Sequence, residues 1–270
     1  MLPENTGMLP DRTAIAAVLP PRWRDVTVVA STGSTNVDLA DGIRAGEAAG
    51  RVLIADLQTA GRGRHARPWS APAGTQLAIS VTVGVPERAA HRLGWLPLAT
   101  GTAAVRAVTG VAASLKWPND LLLDGGRGGR SGKGAGILAE LVVPATGGEM
   151  VAVIGMGLNA TLTEEQLPVP TATSLALAGA EAPDRTRLAV AYLTELDRAL
   201  TLWADDPAAA RAAYLAVCDT VGRAVTVALP DGGVLAGTAV DVDTEGRVVV
   251  RADDGDHSLS AGDVTHLRPA

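Results

Sequence analysis

The 270-residue chain predicts an α+β fold, a central mixed β-sheet with helices followed by a small C-terminal β-barrel. Three observations predict it. Apolar or alternating runs at 52–55, 76–85 and 150–154 are separated by glycine-rich loops and read as sheet strands. The stretch after Asp184 carries Leu188, Tyr192, Leu196, Ala199, Leu200 and Trp203 on one helical stripe. From Gly222 the period changes to two, with short strands at 224–229, 234–242 and 247–252 between glycine-bearing turns. The implied organisation is a tail at 1–22, a sheet domain at 23–219 and a small domain at 220–270.

Taken in order, residues 11–19 form a short helical candidate inside a proline-rich tail, and 23–30 a first strand through Val26, Val28 and Val29. Ser31-Thr32-Gly33-Ser34-Thr35-Asn36 is a cluster of capping residues. Ser34 or Thr35 is expected to cap a helix running to about Ala49. The strand at 51–57 then feeds a loop. Residues 89–109 have a helical rhythm that Gly94, Pro97 and Gly101 kink or break. Trp117-Pro118-Asn119-Asp120 bends a strand and brings Lys116 beside polar groups and a carboxylate. A flexible interruption follows at 125–136, where seven of twelve residues are glycine, with Lys133 inside it and the sheet resuming at Gly136. The strand from Met150 ends in Gly155-Met156-Gly157-Leu158-Asn159. Asp184 caps the long helix, and Asp206-Pro207 opens another.

Composition bounds the function. Hydrophobic residues make up 47%, yet phenylalanine is absent and aromatics are only 3%, so aliphatic side chains must build the core. A net charge of −6 disfavours nonspecific binding to DNA or to an acidic membrane, without forbidding a local basic site. The single Cys218 excludes an internal disulfide framework and fits a reducing compartment. The apolar stretch 95–113 is interrupted by Pro97 and Arg106 and reads as core. The expectation is a soluble, cytoplasmic protein, with too few residues at 1–22 for a helix-turn-helix domain and with neither nucleic acid nor membrane as partner.

The stretch with most chemical content is Gln58-Thr59-Ala60-Gly61-Arg62-Gly63-Arg64-His65-Ala66-Arg67-Pro68-Trp69. Glycine lets a backbone approach a ligand closely, and successive N–H groups in such a turn bind anions. Arginine adds a planar fork for carboxylate or phosphate oxygens. A solvated surface loop is the bland alternative. An RG-type nucleic-acid segment is weaker, since such segments repeat many times. Two matches to a dinucleotide fingerprint, at Gly61 and at Gly155, fail because neither opens a helix. A P-loop fails as well, because Arg127 falls where the first glycine belongs.

Four stretches in order, Ser34-Thr35-Asn36, the Gly-Arg-Gly-Arg loop through Trp69, Lys116-Trp117-Pro118-Asn119-Asp120 and Lys133-Gly134-Ala135-Gly136-Ile137-Leu138, resemble the biotin protein ligases. Gly155 to Asn159 is a fifth match. The resemblance runs from about residue 25 to the C-terminus. It implies a sheet with helices on one side, similar to class II aminoacyl-tRNA synthetases, and an SH3-like terminal barrel. The implied substrates are biotin and ATP with Mg2+, and the implied protein partner is the biotin carboxyl carrier domain of a carboxylase.

By the same resemblance, Ser34, Thr35, Asn36, Gln58, Arg62, Gly63, Arg64 and Lys133 belong to the biotin site. Arg62, Arg64, Trp69, Lys116, Asn119, Asp120, Lys133 and Asn159 belong to the ATP and adenylate site. Lys133 and Arg64 are the expected catalytic cations, with Asp120 near the metal. Two departures stand out: Ala66 occupies a position where the family loop often has glycine, and the insertion before Lys133 adds Arg127 and Arg130. A lipoyl or octanoyl ligase of related fold and a non-catalytic biotin-responsive regulator are the alternatives. An octanoyltransferase needs a nucleophilic cysteine, and Cys218 is expected in a helical stretch outside every motif.

Overall fold

The computed structural model describes residues 9–126, 129–145, 147–181, 183–229, 232–260 and 263–266. The first eight residues of the expected tail, and Arg127, lie outside them. The chain begins with α1 (Arg12–Ala16), shorter than expected, whose cap Asp11 accepts from the backbone N–H groups of Thr13 and Ala14. There follow β1 (Asp25–Thr32), α2 (Thr35–Arg44), β2 (Arg51–Gln58) and β3 (Gln76–Gly84). After a 3-10 stretch at Glu87–Trp95 come α3 (Leu96–Ala107), β4 (Ala113–Lys116), β5 (Asp120–Leu123), β6 (Gly132–Val142) and β7 (Val151–Asn159). Pro97 sits in the first turn of α3, where a missing N–H costs no bond, so the expected kink is a boundary between two helices.

These strands form one sheet in the order β1-β2-β3-β7-β6-β5-β4, parallel only between β1 and β2. Every residue of β3 from Gln76 to Val83 is buried, so the sheet is covered on both faces. On one face Leu77, Ile79, Val81 and Val83 join the main core with α3 and α4 (Arg185–Asp205). On the other, Leu39, Ala40 and Ile43 of α2 pack on Leu53, Val142, Val151 and Val153. The expected arrangement with helices on one side is therefore corrected: α2 lies opposite α3 and α4, and the functional loops gather on its face.

Asp184 caps α4 by accepting from the N–H groups of Thr186 and Arg187. Tyr192, Leu196, Ala199, Leu200 and Trp203 are buried as the stripe predicts, joined by Ala189 and Leu193. Asp184→Ala removes the one oxygen that accepts from both N–H groups at this helix start, and its expected cost is about 1 kcal/mol of stability. Urea unfolding at fixed pH measures it, and an unchanged midpoint would show that water replaces the cap. Asp206 caps α5 (Pro207–Leu215) through Ala209. Cys218 lies beyond α5 rather than in it, bridging Leu115 in parallel pairing.

The C-terminal unit holds β8 (Ala224–Ala228), β9 (Val234–Val242), β10 (Val248–Ala252), β11 (Gly255–Leu259) and β12 (Asp263–His266). They form one antiparallel sheet ordered β11-β10-β9-β8-β12, open between its ends among the described residues. Its buried Val225, Val227, Val248 and Val250 are continuous with the main core. Two tryptophans pin it down: the indole N–H groups of Trp95 and Trp117 donate at 3.0 Å to the carbonyls of Thr244 and Gly246. No helix among the described residues is long and apolar enough to cross a membrane.

Candidate active site

A cavity of about 650 Å³ opens on the α2 face, and every residue assigned to the biotin and ATP sites from the sequence lines it. Its first wall is the N-terminus of α2. Ser34 occupies the cap position but its side chain makes no capping bond, contrary to the expectation from sequence. Gln58 supplies the acceptor instead, its Oε1 taking the Thr35 N–H at 2.9 Å and lying 3.0 Å from the Thr35 hydroxyl, whose single proton it shares with Ser80. The network continues from Thr35 to Ser80 at 2.6 Å, from the Ser80 hydroxyl to Asn36 Oδ1 at 2.7 Å, and from Asn36 Nδ2 to Glu140 at 2.9 Å. Ser34, Thr35, Asn36 and Ser80 are all at most 4% exposed. This wall is uncharged and donor-rich: among the described residues no bond engages the Gln58 amide N–H groups or the Ser34 hydroxyl, which face the cavity.

The second wall is cationic. The loop after β2 folds back on itself, with Gly63 N–H donating to Arg67 O and Trp69 N–H to Gly61 O. A Cβ on Gly61 would sit 2.5 Å from Trp69 O, so this glycine permits the close approach. Ala66 has φ of 55°, in the left-handed region that glycine favours. The departure seen in sequence thus falls where an L side chain is strained. Arg62 reaches Glu140 and Arg64 reaches Asn119 Oδ1, each at 3.4 Å. Arg62, Arg64, Arg67, Lys116 and Lys133 line the cavity against one carboxylate, Asp120, on a protein of net charge −6.

Lys133 was expected in the glycine-rich interruption, but β6 begins at Gly132 and carries it. Its N–H donates to Thr171 O at 2.8 Å, and its carbonyl accepts from Thr173 N–H. Strict alternation would turn Lys133 to the core face with Ala135 and Ile137. A β-bulge prevents this: Leu121 pairs with Ala135, but Leu122 pairs with Lys133. A Cβ on Gly134 would meet the buried Leu123 side chain at 2.4 Å, so Gly134 and Ala135 both face the core. The bulge re-aims Lys133 into the cavity. There its Nζ lies 2.6 Å from Asp120, which also faces Lys116 Nζ at 3.7 Å. Asn119 is fixed by donating to Ile137 O at 2.9 Å. Arg130 is exposed and does not line the cavity.

Trp69 lies flat on the sheet. Its indole covers Gly157 and Gly136, where an added Cβ would come within 2.4 and 3.2 Å of the ring. Gly155 makes room for Asn36, whose Oδ1 would be 2.2 Å from a Cβ there. The Gly155-x-Gly157 pair is thus a flat floor within β7, which runs through Asn159 instead of stopping before it. Lys133 Nζ stands 5.9 Å from the Trp69 ring centroid. Asn159, 3% exposed, donates to Thr173 O at 2.9 Å.

Sequence reasoning missed Ser80, Glu140 and the contribution of β12, whose Val264 and Thr265 line the cavity. A polar residue at 80, on the face opposite Leu77, Ile79, Val81 and Val83, was the available signal for Ser80. Thr220 ties β12 to the bend after β4, accepting from Trp117 N–H at 2.9 Å and meeting His266 Nε2 at 3.0 Å. Burial holds the His266 imidazole below its usual pKa, with Asp219 opposing and Lys116 and Arg223 adding to the effect.

A two-walled cavity on a mixed sheet of this order, with a Gly-Arg loop over it, defines a class. Residues 28–159 match the biotin/lipoate A/B protein ligase family, and residues 220–267 match the biotin protein ligase C-terminal domain. The biotin–[acetyl-CoA-carboxylase] ligase of Mycobacterium tuberculosis is 43% identical over 91% of this chain and 90% of its own length. The chain belongs to the biotin protein ligase family, and it is an enzyme, a ligase. The bifunctional ligase/repressor BirA of Escherichia coli is 32% identical over 84% of this chain and 70% of its own. Biotin protein ligase from Aquifex aeolicus, solved with biotin and ATP, shares the fold at TM-score 0.73 and 22% identity, over 92% of this chain and 100% of that one. The Leishmania major enzyme, solved with biotinyl-5-AMP, gives TM-score 0.57 at 26% identity, over 90% of this chain and 100% of that one.

Proposed function

We propose that this enzyme activates biotin with ATP and then transfers it to a lysine of the biotin carboxyl carrier domain of a carboxylase. One observation carries the reading: a single cavity joins an uncharged hydrogen-bonding wall to a cationic wall, with an aromatic floor between them. The ureido group of biotin needs paired donors and acceptors, which Ser34, Thr35, Asn36 and Gln58 offer. The biotin carboxylate and the phosphates are anions, and joining them requires positive charge at their meeting point. Lys133, Arg64 and Arg62 supply it, with Lys116 behind Asp120. Trp69 is the surface for adenine, with Asn159 beside it.

In the first step a carboxylate oxygen of biotin attacks the α-phosphorus of ATP. The bond from that phosphorus to the bridging oxygen breaks, and pyrophosphate leaves with the electron pair. In the second step the neutral ε-amine of the acceptor lysine attacks the acyl carbon. The bond to AMP breaks, AMP leaves with its pair, and the nitrogen loses a proton to give the amide. Lys133 and Arg64 stabilise the charge that builds on the α-phosphate in both directions of this exchange. Asp120 is the one carboxylate lining the cavity, so it is the side chain that would meet a magnesium ion carried in with the nucleotide. Asp120 is already engaged by two lysines. Most of that ion's ligands would be the nucleotide's own phosphate oxygens and water.

Pyrophosphate release from ATP, with biotin, lipoate or octanoate supplied separately, tests the proposal. Release with biotin alone is expected, followed by loading of a carboxyl carrier domain. Release with lipoate alone would overturn it in favour of a lipoyl ligase.

A further inference from the structure

Trp69 is held by groups that no recognised motif contains. Its indole Nε1 donates to Gln76 Oε1 at 2.9 Å, and Gln76 is 1% exposed. The Gln76 amide spends only its oxygen: among the described residues its buried Nε2 has no partner. Gln76 is itself clamped from the opposite face. Arg185, 8% exposed at the start of α4, donates to the Gln76 main-chain carbonyl at 3.3 Å and pairs with the 8%-exposed Asp56. Asp56 also accepts from Gly74 N–H at 3.0 Å. The segment after Trp69 is therefore tied down at Gly74 and at Gln76. A buried arginine–aspartate pair is weak evidence for stability, because desolvation offsets its attraction. Here it fixes the strand end that carries the acceptor for the indole.

We propose that Gln76 is a positioning residue that locks the Trp69 indole over Gly136 and Gly157, so that the nucleobase platform is formed before ATP arrives. The proposal rests on the reading of Trp69 as the adenine surface. A platform already in place spares the ligand the cost of ordering it, so the effect falls on ATP affinity.

The test is a double-mutant cycle on pyrophosphate release, with Gln76→Met made in the wild-type and Trp69→Phe backgrounds. Methionine keeps the length and removes the acceptor, and phenylalanine keeps an aromatic ring without the N–H. Gln76→Met is expected to raise KM for ATP about fivefold to tenfold, the worth of one hydrogen bond, with kcat and KM for biotin little moved. In the Trp69→Phe background the same change should add nothing. An equal effect in both backgrounds means that Gln76 acts without the indole and overturns the proposal. So does a joint change of kcat and both KM values, which marks damage to the fold. Trp69→Ala separates the two readings. If it leaves KM for ATP unchanged, the adenine assignment fails and takes the proposal with it. If it raises KM while Gln76→Met does not, only the proposal fails.

Discussion

Lys133→Met is expected to slow adenylate formation by roughly 10²–10³-fold while biotin binding stays nearly constant, the loss typical of removing one electrostatic donor from a transition state. Methionine keeps much of the apolar stem, so the change is mainly of charge. The lysine is prepared for the role in two ways. The bulge at Gly134 turns it out of the core, and Asp120 at 2.6 Å holds its ammonium over the cavity. An interaction that strengthens only as charge develops on the α-phosphate acts on kcat rather than on ground-state affinity. Single-turnover pyrophosphate release paired with calorimetric titration of biotin separates the two. A Lys133→Met enzyme that forms adenylate at the normal rate would remove Lys133 from the mechanism. Lys116, 3.7 Å from the same carboxylate, would then be the next candidate.

Gly157→Ala is expected to raise KM for ATP by about 5- to 140-fold, since base–aromatic stacking is worth roughly 1–3 kcal/mol and each 1.4 kcal/mol is tenfold. The new methyl would lie 2.4 Å from Cε2 and Nε1 of the Trp69 indole. That ring has no easy retreat, because Gln76 holds its N–H and the neighbouring Gly136 floor is also in contact. The ring must tilt or lift, and the adenine surface is lost. Biotin affinity is expected to hold, since the side chains of the α2 wall bond to one another and to Glu140 while the indole N–H is bonded to Gln76. Introducing Gly157→Ala into a Trp69→Ala enzyme distinguishes this from damage to β7: with the indole gone, the methyl has nothing to displace and KM should not rise further. Wild-type KM in the single variant would rule out the flat-floor account.

The two predictions also mark what was legible before the structure. Trp69 and Lys133 stood out in sequence by motif, yet their settings did not. Lys133 read as part of a flexible interruption because glycines flank it. In the structure those glycines are used for a bulge and for the floor under an indole. The Gly155-x-Gly157 pair read as a strand end for the same reason: a glycine removed by close approach looks locally like one removed by a turn. The α2 cap was misread because Ser34 has the right side chain and backbone, while Gln58 from β2 supplies the acceptor that the helix start uses. Two strands of the C-terminal sheet, β11 and β12, were missed where polar residues dilute the alternation.

Local sequence encodes most of the strands and helices, the caps at Asp184 and Asp206, the period change after Gly222 and the set of charged residues around the site. All of these are encoded within windows of a few residues, through periodicity, capping chemistry and turn preference. Only the tertiary structure decided that α2 covers the face opposite α3 and α4. It alone decided that Asp120 is shared by two lysines, that Gln76 holds Trp69, and that Val264 and Thr265 of β12 complete the cavity. Those facts depend on register, on one bulge and on packing that local patterns do not encode: Trp69 and Gln76 are only seven residues apart, yet strand geometry sets their bond, and Val264 and Thr265 reach the cavity from the far end of the chain.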